Sequence, residues 1–169
     1  IYFMHGNRDF MISEKFCNNH GMKFLKDPTE IKLHGKKILL MHGDTLCTDD
    51  IEYQKFRTMV RSPLWQNKML EKSLEERINL AKMLRAKSLS ETNTKDEIIM
   101  DVNDAEVIDQ LRKYDVDMII HGHTHRPNIH KIISEKKEYK RIVLGDWYDK
   151  SFILKISDGK IVIDKNNLS

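Results

Sequence analysis

A layered α/β domain, shading into α+β at its C-terminal end and carrying a helical insertion, is what this 169-residue sequence predicts. Three observations predict it. Short apolar runs recur, each ending in a cluster of His, Gly, Asn or Asp. Helical patterns fill the gaps between them, and the last of these runs is followed by a two-strand pattern broken at Asp158-Gly159.

The apolar runs come first. Ile1 to Met4 precedes His5-Gly6-Asn7-Arg8-Asp9, and Ile38 to Met41 precedes His42-Gly43-Asp44. Met118 to Ile120 precedes His121-Gly122-His123-Thr124-His125, and Ile142 to Leu144 precedes Gly145-Asp146. Each reads as a buried strand feeding a loop. If the four share one sheet and one direction, their ends meet at a single edge, where α/β sheets hold ligands.

Helices are expected between them. Ser13 to Asn19 is a short one stopped by Gly21, and Asn103 with Glu106 forms a capping box that opens a helix to about Tyr114. Asp49 with Glu52 caps another, which Pro63 ends. From Met69 to about Arg85, Leu70, Leu74, Ile78, Ala81 and Leu84 recur at helical spacing, which predicts an amphipathic helix. Strands near 151–156 and 160–163 close the chain as a hairpin. The expected organisation is a single domain over 1–169 with the insertion from about 50 to 95.

Composition narrows the possibilities. With 40% hydrophobic and 33% charged residues the chain can bury a core, and its longest aliphatic runs fall far short of the roughly 20 residues that cross a bilayer. Cys17 and Cys47 stand apart in no metal-binding spacing and read as reduced, cytosolic thiols. The net charge of +3 conceals a segregation: nine Lys or Arg and three acids lie between Lys55 and Lys87, net +6, leaving the remainder at −3. The chain opens directly on a strand, without an initiator methionine, as a fragment would.

The chemistry lies in the loops. His123-x-His125 after a buried strand sets two imidazoles on one side of an extended chain, within reach of one metal or two adjacent ones. His121 alternates with them and reads better as a structural histidine. Taken singly, Gly6-Asn7-Arg8-Asp9 is a plain turn and His42-Gly43-Asp44 is ambiguous. Together, three such clusters at strand ends suggest that Asn7, His42, His123 and His125 converge on divalent cations. All four are uncharged, so carboxylates must complete the charge balance of a partly buried site. Asp9 and Asp44 suit orienting roles, and the missing acids are expected before Ile1.

In that order, Gly6-Asn7-Arg8-Asp9, Met41-His42-Gly43-Asp44 and Gly122-His123-Thr124-His125 resemble the later motifs of the calcineurin-like metallophosphoesterase superfamily. The resemblance implies a layered β-sandwich flanked by helices, with its N-terminal strands and their Asp-x-His and Gly-Asp motifs missing here. Within the superfamily, the segment from His42 to Asp50 with Tyr53-Gln54 and Phe56-Arg57 is similar to the diphosphatases that cleave UDP-2,3-diacylglucosamine in lipid A synthesis. The similarity extends through Met100-Asp101-Val102-Asn103 and His121 to Pro127.

That resemblance implies water attack on the α-phosphorus, giving UMP and 2,3-diacylglucosamine 1-phosphate, with two Mn2+ as the metals. Asn7, His42, His123 and His125 would be metal ligands, Arg8 and His123 catalytic, and Asn7, Arg8, Asp50, Ser88, Thr92, Lys95 and His123 substrate-binding. Thr92 departs from the asparagine expected there, with Asn93 beside it.

Most superfamily members carry histidine where this chain has Arg8. A guanidinium cannot donate a proton near neutral pH, so Arg8 suits a phosphate leaving group, as a charge clamp on a phosphoanhydride. The basic insertion, with Trp65 and Met69, reads as a lid that shelters acyl chains and rests on an anionic leaflet, placing the protein peripherally at the cytoplasmic face of the bacterial inner membrane. Three alternatives stay open: an inactive remnant acting as a binding domain, a nucleic-acid phosphodiesterase, and, more weakly, a mononuclear zinc hydrolase. No nucleic-acid partner is expected on the preferred reading.

Overall fold

A computed structural model describes residues 1–94, 99–157 and 159–168. The chain divides into two compact units, one of residues 1–46 and 102–169, the other of residues 47–101.

The first unit is built on a five-stranded sheet. Its strands are β3 (Thr29–Leu33), β4 (Lys36–Met41), β5 (Met118–His121), β6 (Asn128–Ser134) and β7 (Lys137–Val143), in the order β3-β4-β5-β7-β6. The central three, β4, β5 and β7, run parallel, and antiparallel partners flank them on both edges. All four residues of β5 are buried, which is why Met118-Ile119-Ile120 reads as a continuous apolar run.

Alternate side chains feed two cores. Leu39, Met41 and Ile119 point to one face, where they pack with Val107 and Leu111 of helix α5 (Asp104–Lys113) and with Leu46 and Val116. Ile38, Met118, Ile120 and Ile142 point to the other, against Leu154, Ile156, Ile161 and Ile163 of the hairpin β8 (Lys150–Ser157) and β9 (Lys160–Asn167). Helix, sheet and hairpin are thus three layers, as a layered α/β sandwich requires. The hairpin joins where expected, with Asp158 itself outside the described residues.

Capping residues set the helix ends. Ser13 caps α1 (Glu14–Asn19) and Asn103 caps α5, its side chain accepting from Ala105 and Glu106. One expectation fails here. Ile1–Met4 does not join the main sheet: β1 (Tyr2–Met4) pairs in parallel with β2 (Lys23–Leu25), across α1, as a separate two-stranded sheet. An apolar run of four residues marks a strand but carries no information about its partner. The strands β2, β3 and β6 escaped the sequence reading because they are short or half-exposed edges.

The second unit is helical: α2 (Ile51–Val60), α3 (Pro63–Leu70) and α4 (Leu74–Thr94). Three sequence expectations are corrected within it. The cap of α2 is Asp50, whose side chain accepts the Tyr53 N–H, not Asp49. Pro63 does not merely end α2; it opens α3 at a first-turn position capped by Ser62. The helix expected from Met69 is two helices, because Ser73 and Glu76 form a reciprocal capping box (Glu76 N to Ser73 Oγ 3.2 Å, Ser73 N to Glu76 Oε2 2.8 Å) that starts α4 afresh. Leu70, Leu74 and Ile78 are exposed rather than packed. Among the described residues no helix is long and apolar enough to cross a membrane.

Candidate metal centre

Parallel strands that end in register deliver their loops to one edge. Met41 lies opposite His121, and His121 opposite Val143. Beyond the last pairs, Gly122 N–H donates to the His42 carbonyl at 3.0 Å and Leu144 N–H to that of His121 at 2.8 Å. The segments 42–44, 122–125 and 144–146 therefore emerge side by side.

His42 and His123 meet there edge to face, ring centroids 4.9 Å apart and planes at 67°. Asp44, fully buried, sets Oδ1 3.2 Å from His42 Nδ1. A carboxylate in that place favours a proton on Nδ1 and leaves the Nε2 lone pair for a cation. The turn carrying Asn7 and Arg8 abuts the same ring: a Cβ on Gly6 would stand 3.4 Å from both His42 Nε2 and Asp9 Oδ1. Asp9 holds that turn by accepting the Gly6 N–H at 2.6 Å. Asn7 is partly buried and Arg8 exposed.

His123 has its pKa pushed down to about 4, chiefly by burial, then by the neighbouring His42, with Asp44 opposing. It is neutral at ordinary pH, the state in which imidazole ligates. The backbone corrects one piece of sequence reasoning. His123 and His125 have φ of +64° and +53°, so the dipeptide spacing is not that of an extended chain. Left-handed backbone at non-glycine residues costs on the order of 1–3 kcal/mol each, and such residues gather at functional sites. His123 faces His42, and exposed His125 sets Nδ1 3.5 Å from Asp146 Oδ2. His121 is buried, with Nδ1 2.9 Å from the Gly122 carbonyl and Nε2 3.4 Å from Arg141 Nη1. Because arginine only donates, Nε2 accepts and Nδ1 carries the proton, which makes His121 an anchor for the loop.

The sequence profile of calcineurin-like phosphoesterases matches residues 1–127. The chain belongs to the calcineurin-like phosphoesterase family. Membership implies a divalent-metal site, and the donor set at this edge fits one: ligand-capable atoms of Asp27, His42 and Asp44 all lie within 4.8 Å of one another. This calcineurin-like phosphoesterase is 46% identical over 96% of its length to a UDP-2,3-diacylglucosamine hydrolase of Marinobacter nauticus, covering 66% of that protein. It is 44% identical over 95% of its length to one of Pectobacterium carotovorum, covering 67%. The chain thus spans about two thirds of the length of the curated relatives it matches. Among solved structures it has a remote likeness to vacuolar protein sorting 29 of Cryptosporidium parvum (12% identity, TM-score 0.36, 87% of this chain and 59% of that one).

Asp27 is the residue that sequence reasoning missed. Asp27-Pro28 reads as a turn. The signal that could have found it is the hairpin: with Gly35 in the turn and Thr29 opposite Leu40, extending the register by two residues sets Asp27 opposite His42. The other expected substrate contacts belong to the helical unit. Asp50 is buried and caps α2, Ser88 is half-buried on α4, Thr92 lies near the end of α4, and Lys95 falls outside the described residues.

Proposed function

We propose that the protein hydrolyses the phosphoanhydride of UDP-2,3-diacylglucosamine, releasing UMP and 2,3-diacylglucosamine 1-phosphate in lipid A synthesis. The observation that carries this reading is the joining of two things. His42 and His123 sit together at the strand edge beside buried Asp44, and nearly the whole chain is similar to proteins named for that hydrolysis. Asn7, His42, His123 and His125 would hold two divalent cations, which we take to be Mn2+.

When bound, such a pair polarises phosphoryl oxygens and lowers the pKa of water. The chain's own residues do the rest. Asp44 orients His42, Asp9 shapes the Asn7 turn, and neutral His123 would contact the phosphate. Arg8, exposed on the Asn7 turn, clamps phosphate charge; a phosphate leaving group with a last pKa of about 6 hardly needs the proton that arginine cannot donate. Asp50, Ser88, Thr92 and Lys95 would contact substrate from the helical unit.

That unit supports a lipid partner. Ile51, Met59, Leu64, Leu70, Leu74, Ile78, Met83 and Leu89 are all exposed on helices that carry the basic excess. We read it as a lid for acyl chains that rests on anionic lipid at the cytoplasmic face of the inner membrane. The test is direct. Incubated with UDP-2,3-diacylglucosamine and Mn2+, the protein should release UMP, and chelation by EDTA or His42→Ala should stop it. Release of no UMP under any divalent metal would overturn the assignment.

A further inference from the structure

His42 is gripped from more directions than its place at a strand end requires. Its carbonyl accepts from Gly122 on the β5 side, and Asp44 faces its Nδ1. On the remaining side β4 has run out of ladder: Thr29 opposite Leu40 is the last pair with β3, and β4 itself ends at Met41. The His42 N–H therefore has no backbone carbonyl assigned to it by the hairpin. Asp27 fills that place with its side chain, Oδ1 accepting the N–H at 3.2 Å. Its other oxygen, Oδ2, is shielded from solvent, as are Asp44 Oδ1 and His42 Nδ1.

We propose that Asp27 is a positioning residue for the metal ligand His42, acting from β3's approach by capping the His42 backbone N–H. The inference rests on the metal reading of His42 given above. The physical reason is that an imidazole ligand is aimed by two things, its ring partner and its backbone. Asp44 controls the ring, while Asp27 controls the φ of residue 42, just before Gly43 takes a φ of +106° that only glycine adopts readily. Without a cap, His42, the residue that follows β4, is free to fray from the sheet edge. A second carboxylate beside His42 and Asp44 would also add negative charge to a donor set whose His42 and His123 contribute imidazoles.

The experiment uses the full chain, isotope-labelled, as wild type, Asp27→Ala and Asp27→Asn. Two quantities are read: hydrogen exchange at the His42 amide, with Leu40 and Ile120 amides as controls for the fold, and the midpoint of a Mn2+ titration followed by paramagnetic broadening. Asp27→Ala should speed exchange at His42 about tenfold or more while the controls hold, and weaken Mn2+ uptake by roughly 10- to 100-fold, as loss of an orienting partner does. Asp27→Asn keeps an acceptor oxygen, so it should restore protection at His42 and recover part of the affinity. If Asp27→Ala binds Mn2+ within twofold of wild type, or if its His42 amide stays as protected, the proposal is wrong. Should Asp27→Ala fail to fold, an Asp27→Asn chain that folds but leaves His42 unprotected overturns it equally. A wild-type chain that takes up no Mn2+ sinks the metal reading, and the proposal with it. That result is distinct from one in which wild type binds and the variants bind alike.

Discussion

The imidazole of His123 stands edge-on to that of His42, 4.9 Å away, at the join between two parallel strands. Two imidazoles brought this close, beside one fully buried carboxylate, form a cluster whose charge balance changes with bound metal.

The first prediction concerns pH. His123 has a folded pKa of about 4 against 6.5 unperturbed, so between those values the unfolded chain binds more protons than the folded one. Metal-free protein should therefore lose stability as pH falls from about 6.5 toward 4, with no further loss from this group below that. Urea midpoints at several pH values check it. His123→Gln should flatten the pH dependence over this window relative to wild type; an unchanged slope would refute the assignment.

Arg8 tests the phosphate clamp. Removing one preorganised donor to developing phosphoryl charge costs about 10²–10³ in turnover. Arg8→Ala should lower kcat on UDP-2,3-diacylglucosamine by about that factor while leaving Mn2+ affinity near wild type. Equal turnover would show that Arg8 is an ordinary surface residue of the turn.

Gly43 is a backbone requirement between His42 and Asp44. Its φ is +106°, and a Cβ there would stand 2.7 Å from His121 Nδ1. His121 is buried and engaged with Gly122 and Arg141, so it cannot swing away cheaply. Gly43→Ala should destabilise the fold by about 1–3 kcal/mol through backbone strain, more if His121 is displaced. A chemical denaturation midpoint within error of wild type would contradict this.

The capping box of α4 is a separate matter of stability. Ser73 and Glu76 satisfy each other's N–H groups, and the bond from the Ser73 backbone holds the Glu76 carboxyl below its usual pKa. Ser73→Ala should cost about 1 kcal/mol of helical stability, measured by the helix-unit transition in far-ultraviolet dichroism.

The lid makes a prediction of its own. Flotation with vesicles containing anionic lipid should carry the protein upward at low salt, and replacing Lys68, Lys72 and Lys82 with Glu should abolish it. Equal flotation with neutral vesicles would remove the electrostatic half of the membrane proposal.

Much of this molecule was legible before folding. The apolar runs at 38–41 and 118–120 announced buried strands because a strand covered on both faces has no polar side to show. Asn103 and Ser13 marked helix starts because an orphan N–H needs a nearby oxygen whatever the tertiary context. The loop motifs around Asn7, His42 and His123 named the family, since their chemistry is local in sequence.

What folding alone decided is which of these local pieces face each other. That β1 pairs with β2 and leaves the main sheet, that His123 comes to face His42, and that Asp27 reaches His42 across a hairpin all depend on register. Register is settled by contacts between residues distant in the chain, and a one-residue slip would turn every side chain to the opposite face. Composition and spacing carry the kind of chemistry available to a chain; only the pairing of strands determines which atoms are close enough to share a cation.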